Sequence, residues 1–577
     1  MKPHINEHVE ALRKWMQGEG IDIFIIPTLD PHNSEYVPEH WKCRQWLTGF
    51  TGSAGTALVT AREALLWTDS RYWLQAAEQL SGTPFTLMRE GEDCDLTAWL
   101  QEALKVSPTL HIGFAPDMMT PESYSQWLAP LALEPSQTVC TADPFALLWD
   151  GRPALSTAPA EIMPDEVAGR SAADKLHALT EWLAQHHRDR LFITELSEIC
   201  WMLNLRGDDI PYNPFVIAFL EVRTSAPHRL FIHQSKITPK VEDHLKVLHV
   251  DIHPYDEGLQ LQLAALREPV AESPVAAWRA LKNPVEREGM RRAHVLDGVA
   301  MVRFMAWLER SMAEGRTDIT EMEADRQLTA LRSEHPDFLG LSFETIAAYG
   351  PHGAIVHYEA TPETDARLEP HGLLLLDSGG QYTCGTTDIT RTVALGTPTP
   401  EERRVYTLVL KGHLQLAHAI FPDGTTGLQL DTYARAAMWR EGYDYGHGTG
   451  HGVGHRLGVH EGPLQIRKNL RACTTLPFHA GQTITDEPGI YIPGAFGVRI
   501  ENLLLATEGA ETPFGKFLRF DNLTLCPYDL KPVDFDLLTP QERQWLNLYH
   551  AHVREILMPL LHHEADRQWL DQATRPI

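Results

Sequence analysis

One segment constrains this chain more than any other, because it interleaves histidines with closely spaced glycines. The segment reads DYGHGTGHGVGHRLGVHEGP and runs from Asp444 to Pro463. Glycine at this density gives up helix stability and lets the backbone approach other groups closely, which a purely structural segment has little reason to do. Imidazole is the commonest metal ligand, so the pattern favours a metal site over a flexible histidine-rich loop. The candidate ligands are His447, His451, His455 and His460.

Two aspartates lie upstream, at the ends of two predicted strands. The segment HGLLLLDSGGQYTCGTTDITRTVAL, from His371 to Leu395, predicts a buried strand that ends at Asp377, a glycine-containing connection, and a second strand that begins at Asp388. A hairpin would bring the two carboxylates together, where like charges repel strongly unless a proton or a cation lies between them. A divalent metal ion would remove that repulsion. The alternative is that Asp377 caps the following turn and that Asp388 is solvated.

Two glutamates complete the set of candidate ligands. Glu487 lies in TDEPGIYI and Glu501 lies in GVRIENLL, each inside or beside an apolar stretch typical of a strand, and a buried glutamate needs a partner. With the two aspartates and one histidine, they make four carboxylates and one nitrogen. This set is too rich in oxygen for a structural zinc site and suits two divalent ions, such as Mn²⁺, Co²⁺ or Zn²⁺, bridged by a water. Such a pair lowers the pKa of the water, which is the chemistry of hydrolysis.

Composition excludes several classes of function. The chain has 577 residues, of which 43% are hydrophobic, and 50 Lys and Arg stand against 77 Asp and Glu, for a formal net charge of −27. This is the composition of a globular protein with more than one domain. Its acidic surface would repel phosphate backbones, so nucleic acid is not an expected partner. Acidic residues interrupt the N-terminal stretch where a signal peptide needs an apolar core, and the apolar runs are too short for a membrane span.

The cysteines indicate a reducing compartment. They are odd in number, seven in all, and scattered without a CxxC motif. We therefore expect a cytoplasmic protein with reduced thiols. The alternative is an exported protein in which some cysteines pair.

The chain divides into three predicted domains. Residues 151–166 are rich in proline, alanine and serine and predict a linker. At Asn283 the sequence NPVEREG combines an N-cap residue, a proline in the first helical position and a following glutamate, which predict the start of a long amphipathic helix. We therefore expect domains at 1–152, 153–282 and 283–577, with the chemistry in the last. The first two each hold a strand and then a tryptophan six residues before a glycine, which indicates divergent copies or chance similarity.

The motifs together resemble a known family. GPHGAIVHYEATPET, DSGGQYTCGTTDITRT, HGTGHGVGHRLGVHEGP, TDEPGIYI and GAFGVRIEN follow one another as in the pita-bread metallopeptidases, peptidase family M24, which include methionine aminopeptidase, prolidase, aminopeptidase P and the metal-free creatinase. SEYVPEHWKCRQWLTGFTGSAGTALVT, WTDSRYWLQAA and the C-terminal FLRFDNLTLCPYDLKPVDFDLLT resemble the long, three-domain cytosolic Xaa-Pro aminopeptidases. The resemblance implies an α/β (α+β) fold, in which two creatinase-N-like α/β domains precede a C-terminal pita-bread (creatinase/aminopeptidase) catalytic domain.

The resemblance also implies roles for single residues. Of the four histidines that the spacing leaves open, it selects one as a ligand. The implied metal ligands are Asp377, Asp388, His451, Glu487 and Glu501. The implied catalytic residues are His357, His447, His460 and Glu487, and the implied substrate-binding residues are Arg71, His357, His460 and Arg499. His455 has no counterpart in the family pattern, so we expect it at the surface.

Both arginines have a second interpretation. By the resemblance, Arg71 would contact the peptide, in its own subunit or from the partner subunit. Alternatively, it would simply pair with Asp69. Arg499 lies two residues before Glu501 on the same strand face. It would orient the carboxylates, or it would form a plain structural ion pair.

The implied activity is that of an Xaa-Pro aminopeptidase, which releases the N-terminal residue from peptides with proline in the second position. The nucleophile would be a hydroxide that bridges two divalent metal ions per subunit, with Mn²⁺ expected and Zn²⁺ or Co²⁺ as alternatives, and the family implies a homodimer. A prolidase limited to Xaa-Pro dipeptides and a non-catalytic peptide-binding member of the fold are the alternative functions. The second of these, like a creatinase-type metal-free reaction, is disfavoured because all five ligand positions carry competent side chains.

Overall fold

A computed structural model of the chain describes residues 2–140, 143–225 and 227–577. These residues form two compact units. The first contains the chain up to Met163 together with Ser171–Val275, and the second contains Pro164–Arg170 together with Ala276–Ile577. Both units mix helices with strands, which confirms the α/β prediction. The division into three domains after residues 152 and 282 stays a prediction.

Two mixed sheets and a short strand pair organise the first unit. Its strands are β1 (Ile23–Pro27), β2 (Thr56–Thr60), β3 (Ala64–Thr68), β4 (Thr86–Arg89), β5 (Ile112–Phe114), β6 (Thr138–Cys140), β7 (Glu161–Ile162), β8 (Arg190–Ile193), β9 (Leu205–Arg206), β10 (Ala218–Arg223), β11 (His228–Ile232) and β12 (Val250–His253). The sheet orders are β4-β3-β2-β1-β5-β6 and β12-β11-β10-β8, and β7 pairs with β9. All of β1 is buried, because it is a central strand whose apolar side chains are covered on both faces of the sheet.

Many of the helices begin at a residue whose side chain caps the first turn. In chain order they are α1 (Lys2–Glu19), α2 (Cys43–Thr48), α3 (Trp73–Leu80), α4 (Leu96–Val106), α5 (Pro121–Trp127), α6 (Phe145–Leu148), α7 (Asp165–Ala168), α8 (Ala172–Gln185), α9 (Leu196–Leu203), α10 (Pro239–Val247), α11 (Tyr255–Ala264), α12 (Val275–Ala280), α13 (Pro284–Ala313), α14 (Glu321–Ser333), α15 (Pro400–Ala417), α16 (Gly427–Trp439), α17 (Pro540–Leu557) and α18 (Glu564–Ala573). The predicted start of α13 is confirmed, since Asn283 and Glu286 form a capping box there. Among the described helices, none has the length and apolarity that crossing a membrane requires.

The second unit combines small sheets with the long helices. Its strands are β13 (Phe338–Leu341), β14 (Ile346–Tyr349), β15 (Leu373–Ser378), β16 (Gly380–Tyr382), β17 (Gly385–Thr386), β18 (Ile389–Ala394), β19 (Ile420–Pro422), β20 (Gly450–Gly452), β21 (Glu461–Ile466), β22 (Thr483–Asp486), β23 (Gly489–Ile492), β24 (Phe496–Arg499), β25 (Asn502–Thr512) and β26 (Gly515–Asn522). Two of its sheets have the strand orders β14-β15-β18 and β19-β26-β25-β22. A large apolar cluster that includes Val409, Val498 and Leu546 packs α15, β24 and α17 together.

Candidate metal centre

The predicted hairpin with an aspartate at each strand end is present. β15 and β18 are antiparallel neighbours with Asp377 opposite Thr390, and Asp388 directly precedes β18. The strands β16 and β17 form the connection. Both aspartates are buried, at 8% and 3% exposure, so the alternative of a solvated Asp388 is wrong.

The two glutamates flank one end of a second pair of strands. β22 and β25 are antiparallel, and Asp486 opposite Asn502 is the last pair of the ladder. Glu487 follows β22 directly, and Glu501 directly precedes β25. The Glu501 N–H donates to the Thr390 carbonyl at 3.0 Å. This bond ties the glutamate end of the ladder to the aspartate hairpin.

His451 in β20 faces these acids. Its Nε2 lies 3.5 Å from Asp388 Oδ2 and 3.5 Å from Glu487 Oε1, while its Nδ1 lies 2.9 Å from the Gly452 carbonyl oxygen. When Nδ1–H donates to that carbonyl, the Nε2 lone pair is directed at the acids. Asp388, His451 and Glu501 each offer one atom, and these atoms lie within 4.8 Å of one another. This donor set and spacing can hold a divalent ion.

The glycines beside His451 allow close packing of strands. β20 contacts both β21 and β22. A Cβ atom on Gly450 would meet the Thr485 carbonyl oxygen at 2.0 Å, and one on Gly452 would meet the Glu461 carbonyl oxygen at 2.4 Å. No side chain fits at such distances, so glycine is required where the histidine strand passes its neighbours. The flexible-loop interpretation is therefore wrong for this part of the segment.

Burial and mutual repulsion raise the pKa values of the acids. Burial is the largest cause for Asp388, and Asp377 and Glu487 add to it, so that its pKa lies well above the usual range. Burial, and then Asp388, Glu487 and Asp377, raise the pKa of Glu501 well above its usual range too. Burial is also the first cause for Glu487, whose pKa rises to about 7. The neighbouring protein cations therefore do not neutralise the negative charge of these acids. A divalent ion would relieve the repulsion that remains between them.

Arg499 is the buried cation against this cluster. Its Nη2 donates to Asp377 Oδ2 at 2.6 Å, and its Nε donates to the same oxygen at 3.2 Å. The other oxygen, Asp377 Oδ1, is buried and has no hydrogen-bond partner among the described residues. A buried anionic oxygen in that state calls for a cation or a donor. The residues present therefore fit a pair of divalent ions.

A chain of hydrogen bonds runs from Arg499 to His447. Arg499 Nη1 donates to the Tyr491 hydroxyl at 2.8 Å, and that hydroxyl lies 2.7 Å from His447 Nε2. His447 Nδ1 lies 2.7 Å from the Gly448 carbonyl oxygen. Burial, with Arg499 as the next cause, holds the pKa of His447 well below its usual value, so the neutral ring donates from Nδ1 and accepts from Tyr491. Sequence reasoning missed Tyr491, although it lies in the quoted motif TDEPGIYI.

The other predicted histidines lie on two loops. The His460 ring is 4.3 Å from the His451 ring in an edge-to-face arrangement, so the structure brings His460 to the acids. His357 is partly exposed in the segment between β14 and β15. The carbonyl of its neighbour Val356 accepts a hydrogen bond from Arg499 Nη1 at 3.4 Å. The backbone beside His357 therefore reaches the same arginine that holds Asp377.

Glu321, which sequence reasoning missed, fastens the segment that carries His357. Its carboxylate is fully buried. It accepts hydrogen bonds from the Tyr349 N–H at 2.7 Å, the Tyr358 hydroxyl at 2.9 Å and the Ala366 N–H at 2.9 Å. These partners lie 28 to 45 residues further along the chain, so no local pattern marks the residue.

Comparisons with known sequences identify the family of this chain. The sequence model of Metallopeptidase family M24 matches residues 288–508, and that of the C-terminal region of peptidase M24 matches residues 516–577. The Creatinase/Prolidase N-terminal domain matches twice, at residues 8–146 and 151–269. Aminopeptidase P1 of Lotus japonicus is 37% identical, with 99% of each chain covered. The chain belongs to metallopeptidase family M24.

Further M24 proteins are similar over the full length. Aminopeptidase P1 of Arabidopsis thaliana is 36% identical and the probable Xaa-Pro aminopeptidase P of Coccidioides posadasii (strain RMSCC 757 / Silveira) is 38% identical, each with 99% of both chains covered. A crystal structure of the X-prolyl aminopeptidase of Caenorhabditis elegans, described as a cytosolic enzyme with a di-nuclear active site, is 35% identical. The alignment covers 99% of this chain and 100% of the other, with a TM-score of 0.93.

M24 membership confirms the predicted architecture. Two creatinase N-terminal domains precede a pita-bread catalytic domain in this chain. Because both N-terminal matches are to the same kind of domain, they favour the interpretation of divergent copies over chance similarity.

The prediction for His455 in this M24 chain is wrong. The residue is buried, with 2% exposure, and a Cβ atom on Gly289 would lie 2.8 Å from its Nε2. The imidazole therefore packs against α13 at a point where the helix has no side chain. His455 is therefore a buried residue, and Gly289 on the opposing helix leaves room for its ring.

Arg71 lies in the first unit and pairs with Asp69. Its Nε is 2.8 Å from Asp69 Oδ1 and its Nη2 is 2.7 Å from Asp69 Oδ2. This two-bond geometry is the strong form of an arginine–carboxylate pair. The ion-pair interpretation is confirmed, and the contact of Arg71 with a peptide stays a prediction.

Proposed function

We propose that the protein is a metal-dependent Xaa-Pro aminopeptidase, which removes the N-terminal residue from peptides with proline in the second position. The observation that carries the proposal is the convergence of Asp388, His451 and Glu501, whose ligand atoms lie within 4.8 Å of one another. The substrate class rests on similarity, since full-length plant and fungal relatives are named aminopeptidase P or probable Xaa-Pro aminopeptidase P.

Two divalent ions are the proposed cofactors. A similar solved structure has a di-nuclear active site, and four carboxylates with one imidazole suit Mn²⁺, with Zn²⁺ or Co²⁺ as alternatives. When bound, the pair would lower the pKa of a water that bridges it and so supply a hydroxide near neutral pH. The proposed ligands are Asp377, Asp388, His451, Glu487 and Glu501.

The side chains around the ions would move protons and stabilise charge. Glu487 would take the proton of the attacking water and then pass it to the nitrogen of the leaving proline, as general base and general acid. Asp377 would hold the free amine of the substrate near the two ions. His357 and His460 would donate hydrogen bonds to the substrate carbonyl oxygen as negative charge develops, a contribution of about 3 kcal/mol.

Two residues would orient the groups around the ions. Arg499 fixes Asp377 through one oxygen, and Tyr491 links Arg499 to His447. Because the pKa of His447 lies well below its usual value, His447 would act as a neutral hydrogen-bonding group near the substrate and not as an acid. Arg71 is a further proposed contact to the peptide.

The proposed setting is cytoplasmic, with a homodimer as the assembly. The similar worm enzyme is described as cytosolic, and the six cysteines whose side chains the structure describes are free thiols. The net charge of −27 argues against nucleic acid as a partner. The dimer rests on the family resemblance alone.

A peptide assay on the full-length protein tests the proposal. The protein is treated with a chelator, resupplied with Mn²⁺, Zn²⁺ or Co²⁺, and given a tripeptide with proline second and an Xaa-Pro dipeptide. Release of the first residue from the tripeptide is the expected result. Cleavage of the dipeptide alone would identify a prolidase, and no cleavage with any of the three metals would leave a peptide-binding protein and overturn the proposal.

A further inference from the structure

A chain of buried hydrogen bonds lies next to the two proposed glutamate ligands. Asp486 and Asn502 are cross-strand partners at the end of the β22–β25 ladder. Asp486 immediately precedes Glu487, and Asn502 immediately follows Glu501. Both residues are 0% exposed. The groups that hold this pair in place therefore also fix the backbone positions of Glu487 and Glu501.

Tyr528 connects the two members of that pair. Its hydroxyl accepts a hydrogen bond from Asn502 Nδ2 at 2.9 Å and lies 2.8 Å from His413 Nε2. His413 Nδ1 lies 3.1 Å from the carbonyl oxygen and 3.2 Å from the carboxylate Oδ2 of Asp486. One proton arrangement orders these hydrogen bonds, with Asn502 donating to Tyr528, Tyr528 to His413 and His413 Nδ1–H to the Asp486 carbonyl oxygen. The Asp486 carboxylate accepts no hydrogen bond from the described residues, and its Oδ2 has the His413 ring beside it.

Arg391 holds the same asparagine from the other side. Its Nη2 donates to Asn502 Oδ1 at 2.9 Å and to the Cys526 carbonyl at 2.7 Å. Its Nη1 donates to the Glu501 carbonyl at 2.7 Å. The amide of Asn502 therefore has both its oxygen and its nitrogen fixed, and the Glu501 backbone cannot shift without breaking one of these bonds.

We propose that Tyr528 is a positioning residue for Glu487 and Glu501, and that the segment after β26 thereby supports the metal site. Tyr528 lies in the region, residues 516–577, that matches the C-terminal region of peptidase M24, outside the 288–508 match that contains the proposed ligands. The inference rests on the proposed metal centre. Its physical basis is that closely spaced carboxylates repel, so their separation has to be set by the groups that hold their backbones.

The variant Tyr528→Phe removes only the connecting oxygen. The Tyr528 ring belongs to the large apolar cluster that includes Val409 and Leu546, and phenylalanine retains that packing. The matched control is Tyr443→Phe, because Tyr443 packs against the same cluster and its hydroxyl is not part of the hydrogen bonds that hold Asp486 and Asn502. Circular dichroism confirms that both variants are folded before they are compared.

Chelator competition on the Mn²⁺-loaded, full-length protein measures the effect. We expect Tyr528→Phe to bind Mn²⁺ about 10-fold to 100-fold more weakly, as for groups that hold metal ligands in place, and to show an altered electron paramagnetic resonance spectrum of the bound Mn²⁺ pair. Its kcat should fall while KM changes little. Tyr443→Phe should match the wild type in all of these measurements.

The outcomes separate this inference from the proposed function. Wild-type affinity and an unchanged spectrum in Tyr528→Phe would overturn the positioning role, whatever the activity. If Tyr528→Phe does not fold, His413→Asn, which retains a donor towards Asp486 but loses the bond to Tyr528, is measured in the same way, and wild-type affinity there overturns the inference. A wild-type protein that binds Mn²⁺ but cleaves peptides with none of Mn²⁺, Zn²⁺ and Co²⁺ contradicts the proposed function only, and one that binds none of these three ions contradicts both.

Discussion

Buried acids in the two units meet opposite electrostatic surroundings. In the first unit, Glu221 of β10 is 1% exposed. Arg190, Arg223 and Arg229 approach its carboxylate at 3.1, 3.5 and 2.6 Å. Three cations approach one acid, and the hydrogen bonds from Arg190 and Arg229 help to compensate for its burial. Glu221 is therefore the centre of an ion-pair cluster that holds a sheet together.

In the second unit the ratio is reversed. Asp388, Glu487 and Glu501 have pKa values above their usual ranges, and Arg499 donates its hydrogen bonds to a different acid, Asp377. The comparison teaches that burial of an acid does not by itself mark a metal site. The balance of charge around a group of acids does, because a divalent ion relieves the repulsion that remains where the neighbouring cations do not compensate the acids.

The largest expected contrast is between Asp388→Ala and Glu221→Ala. Asp388→Ala removes a proposed ligand, so we expect kcat/KM for a Pro-second peptide to fall by more than about 100-fold, beyond the effect of losing a supporting group. Elemental analysis should find less bound Mn²⁺ per chain. Glu221→Ala should retain the wild-type metal content and kcat. Full activity in Asp388→Ala would contradict the proposal of two metal ions.

Glu487→Gln, compared with Glu221→Gln, tests whether Glu487 transfers a proton during the reaction. An amide cannot take up the proton of the attacking water, so we expect kcat to fall by about 100-fold to 10,000-fold. Glu221→Gln, the same change of acid to amide, should leave kcat within the error of the assay. Steady-state kinetics decide, and a kcat for Glu487→Gln near that of the wild type would remove Glu487 from its proposed role.

Acid-to-amide changes should also alter the stability of the metal-free protein in opposite directions. Glu501 has a raised pKa, so folding at neutral pH opposes its ionisation, and Glu501→Gln should stabilise the chelated protein by on the order of 1 kcal/mol. Glu221→Gln should destabilise it, because three arginines lose their carboxylate partner. Urea midpoints in excess chelator measure both. A loss of stability in Glu501→Gln would show that the acids are compensated without metal.

The smallest expected effect is a pH dependence of the metal-free protein. The pKa of Glu487 is about 7 when folded, above its ordinary value, so the folded state binds this proton more tightly than the unfolded state. Its stabilising contribution is fully present below the ordinary pKa and is lost as pH rises through about 7. Urea midpoints should therefore fall as the pH is raised from below the ordinary glutamate pKa to above about 7 in chelator. Glu487→Gln should lessen the slope, and an unchanged slope in that variant would contradict the assignment.

Local sequence predicts the parts of the site that depend on local geometry. The strand ends at Asp377 and Asp388 follow from the apolar runs and turn residues around them, and the hairpin is present. The selection of His451 among four histidines came from the motif order, since spacing alone left all four open. Glu321 and Tyr528 were not predicted because each acts on groups far from it in the chain, and Tyr528 lies 115 residues from His413. Tyr491 was not predicted because it links Arg499, 8 residues away, to His447, 44 residues away.

By itself, the sequence determined the donor types, their order along the chain and the glycines that let strands approach, because each of these is set by residue identity and by neighbours in the chain. Tertiary structure alone decided the charge balance around each acid. Glu221 and Glu501 are both buried glutamates in or beside strands, yet one faces three arginines and the other faces carboxylates. The energy of a buried charge depends on what lies within a few ångströms in space. Arg223 and Arg229 are near Glu221 in the chain, whereas Asp377 and Asp388 are brought to Glu501 only by the fold.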